Sequence, residues 1–514
     1  MSRPVLFVGR IYTSFNPIKI VEAIIAFNGV VVYAGNLRDA EKICGVLGCE
    51  TIDLGNRVAI PGFVDSHMHL VSYGRYLSLP DLRGCRSIDE VKRILRDFAK
   101  NIPPSRWVIA RGWDQELFAE RRPLTRWDLD EAVGAKPAIA VRICGHMATL
   151  SSKALEVLGR NYLEKFSRYV DPDTGIVRED AVGYALTKAL EGETIDDRAR
   201  YIEEAQRKLL EHGIVGIGYV SVALEDLLAV LSCARSGRLR LYVSMYLDLE
   251  TARRLDDLGL FLPISLGRAR VSGIKILADG SLGARTAWLS EPYSDDPTTS
   301  GTPCIDADTV RRAAELCRSR GLTLAVHAIG DRALDMVLNA VLPDLASFVR
   351  IEHASLVRDD QLEGVSKLFG VSIQPHFVLT DWWAVRRVGV ERCRWLYRFR
   401  TLARIARVVG ISSDAPVEPI DPFETIYAAV DRGASEGLDI ARCCPDEALD
   451  VATALSLYTE GSAKLIGLEG VLGRLEPGYR ACIAVLDRDP MEVDVQELRR
   501  IRVVETYVDG ERAI

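Results

Sequence analysis

The side chains best suited to chemistry in this 514-residue chain are its seven histidines. Two of them, His67 and His69, close the apolar run Pro61-Gly62-Phe63-Val64-Asp65-Ser66-His67-Met68-His69-Leu70. Side chains alternate faces along a strand, so both imidazoles leave the same face and can close on one metal ion from a stiff support. By itself such a pair is weak evidence, and is more often two hydrogen-bonded histidines near a strand end. Further candidates stand where other apolar runs finish: Lys275, His327, His353, His376 and Asp414. Taken singly, each has a plain structural reading. A histidine can be a satisfied core residue, an aspartate before Ala415-Pro416 can start a turn, and a lysine can reach out of a barrel end. Their shared position at strand ends is what those single readings leave unexplained. Neutral imidazoles and carboxylates suit Zn²⁺ or a similar divalent ion, and two such ions sharing a hydroxide give a nucleophile near neutral pH and polarise a carbonyl oxygen.

The elements that must carry these residues are legible as apolar runs. With the run ending at His67, there are runs at Ile214 to Val220, Leu239 to Leu247, Val271 to Ala278, Leu322 to Val326, Phe348 to Glu352, Val371 to Gln374 and Ile405 to Ser412. Helix-like segments separate them, such as Asp196 to His212, whose Ile202, Ala205 and Leu209 share a face and whose last turn His212 caps before Gly213. Eight strand-helix units predict an α/β fold, a (β/α)₈ TIM-type barrel with its reactive groups at the C-terminal strand ends. Residues 74–192 then form one long insertion after strand one, with extra strands at Trp107 to Ala110 and Ala138 to Ile143, expected to act as a lid or substrate-binding subdomain. Its stretch Arg142-Ile143-Cys144-Gly145-His146 offers Arg142 and His146 as substrate contacts, although a structural role fits His146 equally well. Short strands occupy both chain ends, and neither end has enough apolar residues for its own core. The expected division is 1–57 with 468–514 as a small composite β-sandwich, and 58–467 as the barrel with its insertion.

Several blocks resemble the amidohydrolase superfamily, and within it amidohydrolase family 3, which includes N-substituted formamide deformylase. They are Pro61-Gly62-Phe63-Val64-Asp65-Ser66-His67, Lys275-Ile276-Leu277-Ala278-Asp279-Gly280-Ser281-Leu282-Gly283, His327-Ala328-Ile329-Gly330-Asp331-Arg332-Ala333 and Ser413-Asp414-Ala415-Pro416-Val417-Glu418. The tail Gly473-Arg474-Leu475-Glu476-Pro477-Gly478-Tyr479-Arg480-Ala481 is similar to the family's return into the sandwich, with Cys482 standing where relatives commonly carry Asp. The resemblance implies a binuclear centre. His67, His69 and Asp414 would hold the more buried ion, His327 and His353 the outer one, and Lys275 would bridge both as an N6-carboxylated carbamate. Asp414 would take a proton from the hydroxide and pass it to the leaving nitrogen, and His376 would stabilise the oxyanion or touch substrate. The expected activity is metal-dependent hydrolysis of a C–N bond in an amide, formamide or cyclic amide, not a peptide bond. The same ligands would also serve an esterase or lactonase, a deaminase or an isomerase, and the fold alone would serve a non-catalytic scaffold.

Composition narrows the partners. Lys+Arg 65 against Asp+Glu 72 gives a net charge of −7 without a basic block, so nucleic acid is not an expected partner. The first residues lack a signal peptide's apolar segment and cleavage site, and no run reaches transmembrane length without charge, so a cytoplasmic protein without a membrane partner is expected. Eleven cysteines without Cys-x-x-Cys pairs argue against a zinc ribbon or a disulfide framework and for buried apolar fillers. The expected partner is a small-molecule substrate. Its identity, and whether copies of the chain assemble into a homo-oligomer, are left open.

Overall fold

The computed structural model describes residues 3–260 and 263–514. The chain divides into two compact units, Met1–Gly74 with Ala199–Ile514 and Arg75–Arg198.

In the first unit eight parallel strands run in sequence order around a barrel: Phe63–Met68, Ile214–Val222, Tyr242–Asp248, Ala269–Leu277, Thr323–Ala328, Val349–His353, Gly370–Ile373 and Val409–Ile411. They are called barrel strands one to eight below. Helices cover them, and their sequences explain why. In Asp331–Val341 the residues Ala333, Leu334, Val337, Leu338 and Val341 are buried along one stripe against the sheet. Asp248 ends strand three and at once caps the next helix, its carboxylate accepting the Thr251 N–H at 2.6 Å. Strand eight is shorter than its apolar run, because Phe399–Ile405 forms a helix and the chain becomes extended only at Ala406. The ring closes at its C-terminal rim, where the Asp414 N–H donates to the His67 carbonyl at 2.9 Å and the His69 N–H to the Ala415 carbonyl at 2.9 Å.

The barrel interior is polar at its centre. Arg350 on strand six is fully buried, stacks 4.1 Å from the Tyr246 ring centroid, donates to the Ser66 carbonyl at 3.1 Å and pairs with Glu352 at 2.6 Å. Ser66, Ser372 and Ser412 form a hydrogen-bonded row beside it, with separations of 2.8 and 3.0 Å.

Both termini join one seven-stranded sheet, ordered Glu511–Arg512, Val503–Val508, Ile483–Leu486, Glu50–Pro61, Val5–Phe15, Ile18–Phe27, Val30–Gly35. Glu50–Pro61 pairs parallel with the N-terminal strand and antiparallel with Ile483–Leu486, and Phe7, Ile483 and Tyr507 meet in the core that results. Asp509, in the turn after Val503–Val508, accepts from Arg480, Arg268 and Tyr242 at 2.6, 2.5 and 2.8 Å. Tyr242 and Arg268 lie at the N-terminal ends of strands three and four, so this turn pins the sheet to the end of the barrel remote from His67.

The second unit carries a five-stranded sheet ordered Val108–Trp113, Ala138–Arg142, Met147–Leu150, Ile176–Arg178, Val170–Asp171. It has cores of its own, one around Trp113 and Phe118, the other around Tyr162 and Phe166. No described helix is long and apolar enough to cross a membrane.

The cysteines depart from expectation. Cys44 and Cys49 form a disulfide with Cα atoms 5.0 Å apart, and Cys393 and Cys443 are brought side by side with Cα atoms 6.1 Å apart. Cys85, Cys233, Cys317, Cys444 and Cys482 are the buried fillers expected. Spacing missed the pairs because one bridges a helix end and the other joins segments fifty residues apart.

Candidate metal centre

The site begins with the backbone. Asp65, on strand one, is wholly buried, and its carboxylate accepts the His67 N–H and the Ser413 N–H, each at 3.1 Å. It thereby sets the strand-one end against the segment that follows strand eight. Burial raises its pKa to about 7 against the pull of these donors. Asp414 follows in the left-handed region, φ 56°, as does His353 at φ 74°. Such conformations are costly for these residues and cluster at functional sites.

This frame brings His67, His69 and Asp414 together, with one potential ligand atom from each lying within 4.8 Å of the others. Both histidine Nε2 atoms stand 3.3 Å from Asp414 Oδ1, a buried oxygen without a hydrogen-bond partner. The His67 Nδ1–H donates to Glu352, which turns Nε2 towards that oxygen, and Glu352 with Asp414 raises the pKa of His67 against its burial. Lone pairs converging on one point in a buried site repel unless a proton or metal cation lies among them, and three such donors are a metal's requirement. The donor set fits a divalent ion.

The other candidates surround this cluster. His353 donates through Nδ1 to Gln374 Oε1 at 2.9 Å, and the Gln374 amide in turn donates to Ser412 at 2.8 Å, which leaves His353 Nε2 as the free acceptor. His327 is oriented the other way round. Its Nε2 donates to the Gly280 carbonyl at 2.9 Å, leaving Nδ1 free. Its ring centroid is 4.5 Å from that of His353, which is 5.0 Å from that of His67. Burial, reinforced by the Lys275 charge, lowers His327 to about 4, and burial with His327 alongside holds His353 well below the usual range, so both are neutral as ligands must be. Lys275 points from strand four, in register with Ala325 on strand five, into the same buried space. Burial brings it down to about 8 despite Glu352 and Asp414. Burial would raise Asp414, but His67 and His69 outweigh it and keep this carboxylate well below its usual range.

These six residues form the floor of a cavity of about 470 Å³, ample for a small molecule. His67 and Lys275 are 1% and 4% exposed, whereas Leu277 and Val417 on its walls are 47% and 61% exposed and mark the mouth. His376 lies past the end of strand seven, is buried, and meets the cavity through Glu418, which accepts from its Nδ1. Arg142 and His146 belong to the second unit. There Arg142 binds Asp114 and Gln115, each at 2.8 Å, and the exposed His146 ring is 3.1 Å from Glu179.

Sequence reasoning missed the residues that orient the ligands: Glu352, Gln374, Asp65, Arg350 and Asp279. One signal was present. Arg350 and Glu352 are charged residues two apart in a short apolar run, which places both on one face of a buried strand. Arg350, then His67, overcomes the burial cost and holds Glu352 at about 2. Asp279 accepts three backbone N–H groups, from Ile329, Gly330 and Trp288, at 2.8 to 3.0 Å, and so fixes the loops after strands four and five. Gly330 is required in that knot, since a Cβ there would stand 2.1 Å from the Trp288 carbonyl oxygen.

Comparison with known proteins agrees with this architecture. The profile of the amidohydrolase family matches residues 50–514. YtcJ of Bacillus subtilis (strain 168) is 31% identical over 528 residues, covering 98% of each chain. N-substituted formamide deformylase of Arthrobacter pascens is 25% identical over 492 residues, 90% of this chain and 89% of its own. The crystal structure of an uncharacterized metal-dependent hydrolase from Pyrococcus horikoshii OT3 is 40% identical and superposes with a TM-score of 0.86, covering 96% of this chain and 99% of that one. The chain belongs to the amidohydrolase family, in its family 3 branch.

Proposed function

We propose that this chain is a metal-dependent hydrolase that cleaves a C–N bond in a small amide, formamide or cyclic amide, and not a peptide bond. The observation that carries the reading is the convergence of His67 Nε2, His69 Nε2 and the orphaned Asp414 Oδ1 in one buried corner. Family membership supports a hydrolytic reaction, and the Arthrobacter relative's name favours the amide class. His67, His69 and Asp414 would hold one divalent ion and His327 with His353 a second, zinc being the leading identity for such donors, with Lys275 as an N6-carboxylated bridge. Bound there, such ions supply a water acidic enough to attack near neutral pH and an electrophile for the carbonyl oxygen.

The chain's own residues do the rest. Glu352 and Gln374 fix which imidazole nitrogens face the cluster, and the Arg350–Glu352 pair keeps Glu352 an acceptor. Asp414 is held ionised and faces the cavity, so it can accept a proton at the carboxylate and return it to the departing nitrogen. Lys275, softened by burial, spends part of its time as the neutral amine that carbamate formation needs.

Protein reconstituted with Zn²⁺ or Mn²⁺ should be screened against N-formyl amines, N-acyl amino acids, cyclic imides and lactones, with metal content measured in parallel. Metal-dependent release of an amine, with about two ions bound per chain, is the expected result. Turnover confined to lactones would make the chain an esterase. Absence of bound metal and of turnover would make it a scaffold.

A further inference from the structure

The cavity wall above the metal corner has an uneven chemistry that bears on what can enter. Leu282, Ile329, Phe377 and Trp383 give it an apolar lining. Gly283 opposes the Trp383 indole directly, and a Cβ there would come within 3.3 Å of the ring. The ionisable groups on this wall, apart from the six candidate ligands, are two acids, Asp381 and Glu418.

Both acids are held by neighbours that are neither lysine nor arginine. Glu418 accepts from Thr380 Oγ1 at 2.7 Å and from His376 Nδ1, and Asp381 accepts from the buried Tyr397 hydroxyl at 2.5 Å. Burial lifts Asp381 to about 6 against the Tyr397 hydrogen bond and the Arg387 charge, and Glu418 adds to the lift, so the two carboxylates act on each other. The nearby guanidinium, that of Arg387, acts on Asp381 through its charge alone and makes its bonds elsewhere. It pairs with Asp295, donates to the Gly283 carbonyl at 3.3 Å and lies 5.2 Å from the Trp383 ring centroid. Among the described residues lining the cavity, Lys275 is the one lysine or arginine, and it belongs to the metal corner.

We propose that Asp381 and Glu418 make this pocket charge-selective: it takes amides whose far end is an apolar chain, uncharged or positively charged, and turns anions away. The inference rests on the amide reading above and adds the substrate class. A positive end relieves the repulsion between the two carboxylates, and an apolar chain removes the aromatic wall from water. An anionic end meets two negative charges in a partly desolvated stretch of wall where, among the described residues, no lysine or arginine stands to receive it.

Three matched probes test this on metal-loaded protein: N-butylacetamide, N-acetylputrescine, and N-acetylhomotaurine, whose sulfonate is a poor metal ligand. Dissociation constants by isothermal titration calorimetry read selection, and amine release reads chemistry. The expected order is cationic at least as tight as neutral, and anionic weaker by on the order of ten-fold or more. Asp381→Asn keeps an acceptor for Tyr397 while removing a charge, and should narrow the gap between cationic and anionic probes several-fold with the neutral probe little changed. Binding of the sulfonate as tightly as the neutral amide, no response of the gap to Asp381→Asn, or no binding of the neutral and cationic probes at millimolar concentration would each overturn the inference. The predicted binding order without amine release would defeat the C–N reading and leave charge selection standing.

Discussion

At the scale of single residues, the proposed function gives Asp414 two duties, ligand and proton carrier. Asp414→Asn should keep the fold and part of the metal while lowering kcat by roughly two to four decades, the span for loss of a positioned acid/base. Near-normal turnover would remove it from the chemistry. Lys275 is tested by shape as well as charge. Lys275→Ala should empty one or both metal positions and abolish activity, and acetate or propionate entering the hole should restore measurable turnover, whereas Lys275→Arg should resist that rescue. Failure of rescue, with a free amine seen at Lys275 in active enzyme, would argue for a site built on His67, His69 and Asp414 alone. Glu352 is where charge and stability meet. Its pKa lies at about 2 in the folded chain, below the ordinary glutamate value near 4.3, so its contribution is complete above that ordinary value and is lost as pH falls towards 2. Metal-free protein should show this acid-side loss in denaturant titrations. Glu352→Gln should lack that part of the slope and be less stable at neutral pH by about 3 kcal/mol, because Arg350 stays buried without its counter-charge. An unchanged acid limb in the variant would mean that Glu352 is not the group responsible.

At the scale of elements, the closure between strand one and the segment after strand eight matters most, since it positions three candidate ligands at once. Asp65 holds that closure by accepting N–H groups from both sides. Asp65→Ala should weaken zinc binding by about ten- to hundred-fold in a chelator competition, the usual cost of losing a group that orients ligands. Unchanged affinity would assign the closure to the backbone bonds alone. The eight strands were legible in sequence because parallel strands buried on both faces read as continuous apolar runs, and the candidate ligands because several of those runs carry a histidine, lysine or aspartate at or near their ends. The residues that orient the ligands were not legible in the same way. Gln374 earns its place only because strand seven lies beside strand six, and Asp65 only because strand eight returns to strand one; pairings at such distance leave no local pattern. The early end of strand seven at Ile373 belongs to the same class. His376, expected to stabilise the oxyanion or touch substrate, stands behind Glu418, because the chain has already turned into Phe377–Thr380.

At the scale of the whole molecule, the barrel separates its duties by end, with the metal corner at the C-terminal rim and the Asp509 junction at the other. Asp509→Ala should leave Arg268 and Arg480 without their shared acceptor and lower unfolding stability by about 2–4 kcal/mol, while zinc affinity measured on folded protein stays unchanged. A matching loss of zinc affinity would show that the two ends are coupled. The composite sheet also has a bearing on how the chain is made. Strand Glu50–Pro61 takes its second neighbour from Ile483–Leu486, which leaves the ribosome roughly four hundred residues later, or some tens of seconds at ordinary synthesis rates. Throughout that interval the nascent polypeptide presents an unpaired, largely apolar β edge, the kind of surface that recruits chaperones or other emerging copies. His67 and His69 wait in the same way for Asp414, so any loading of this corner with metal would be an event of the nearly finished chain, and truncated translation products cannot assemble it.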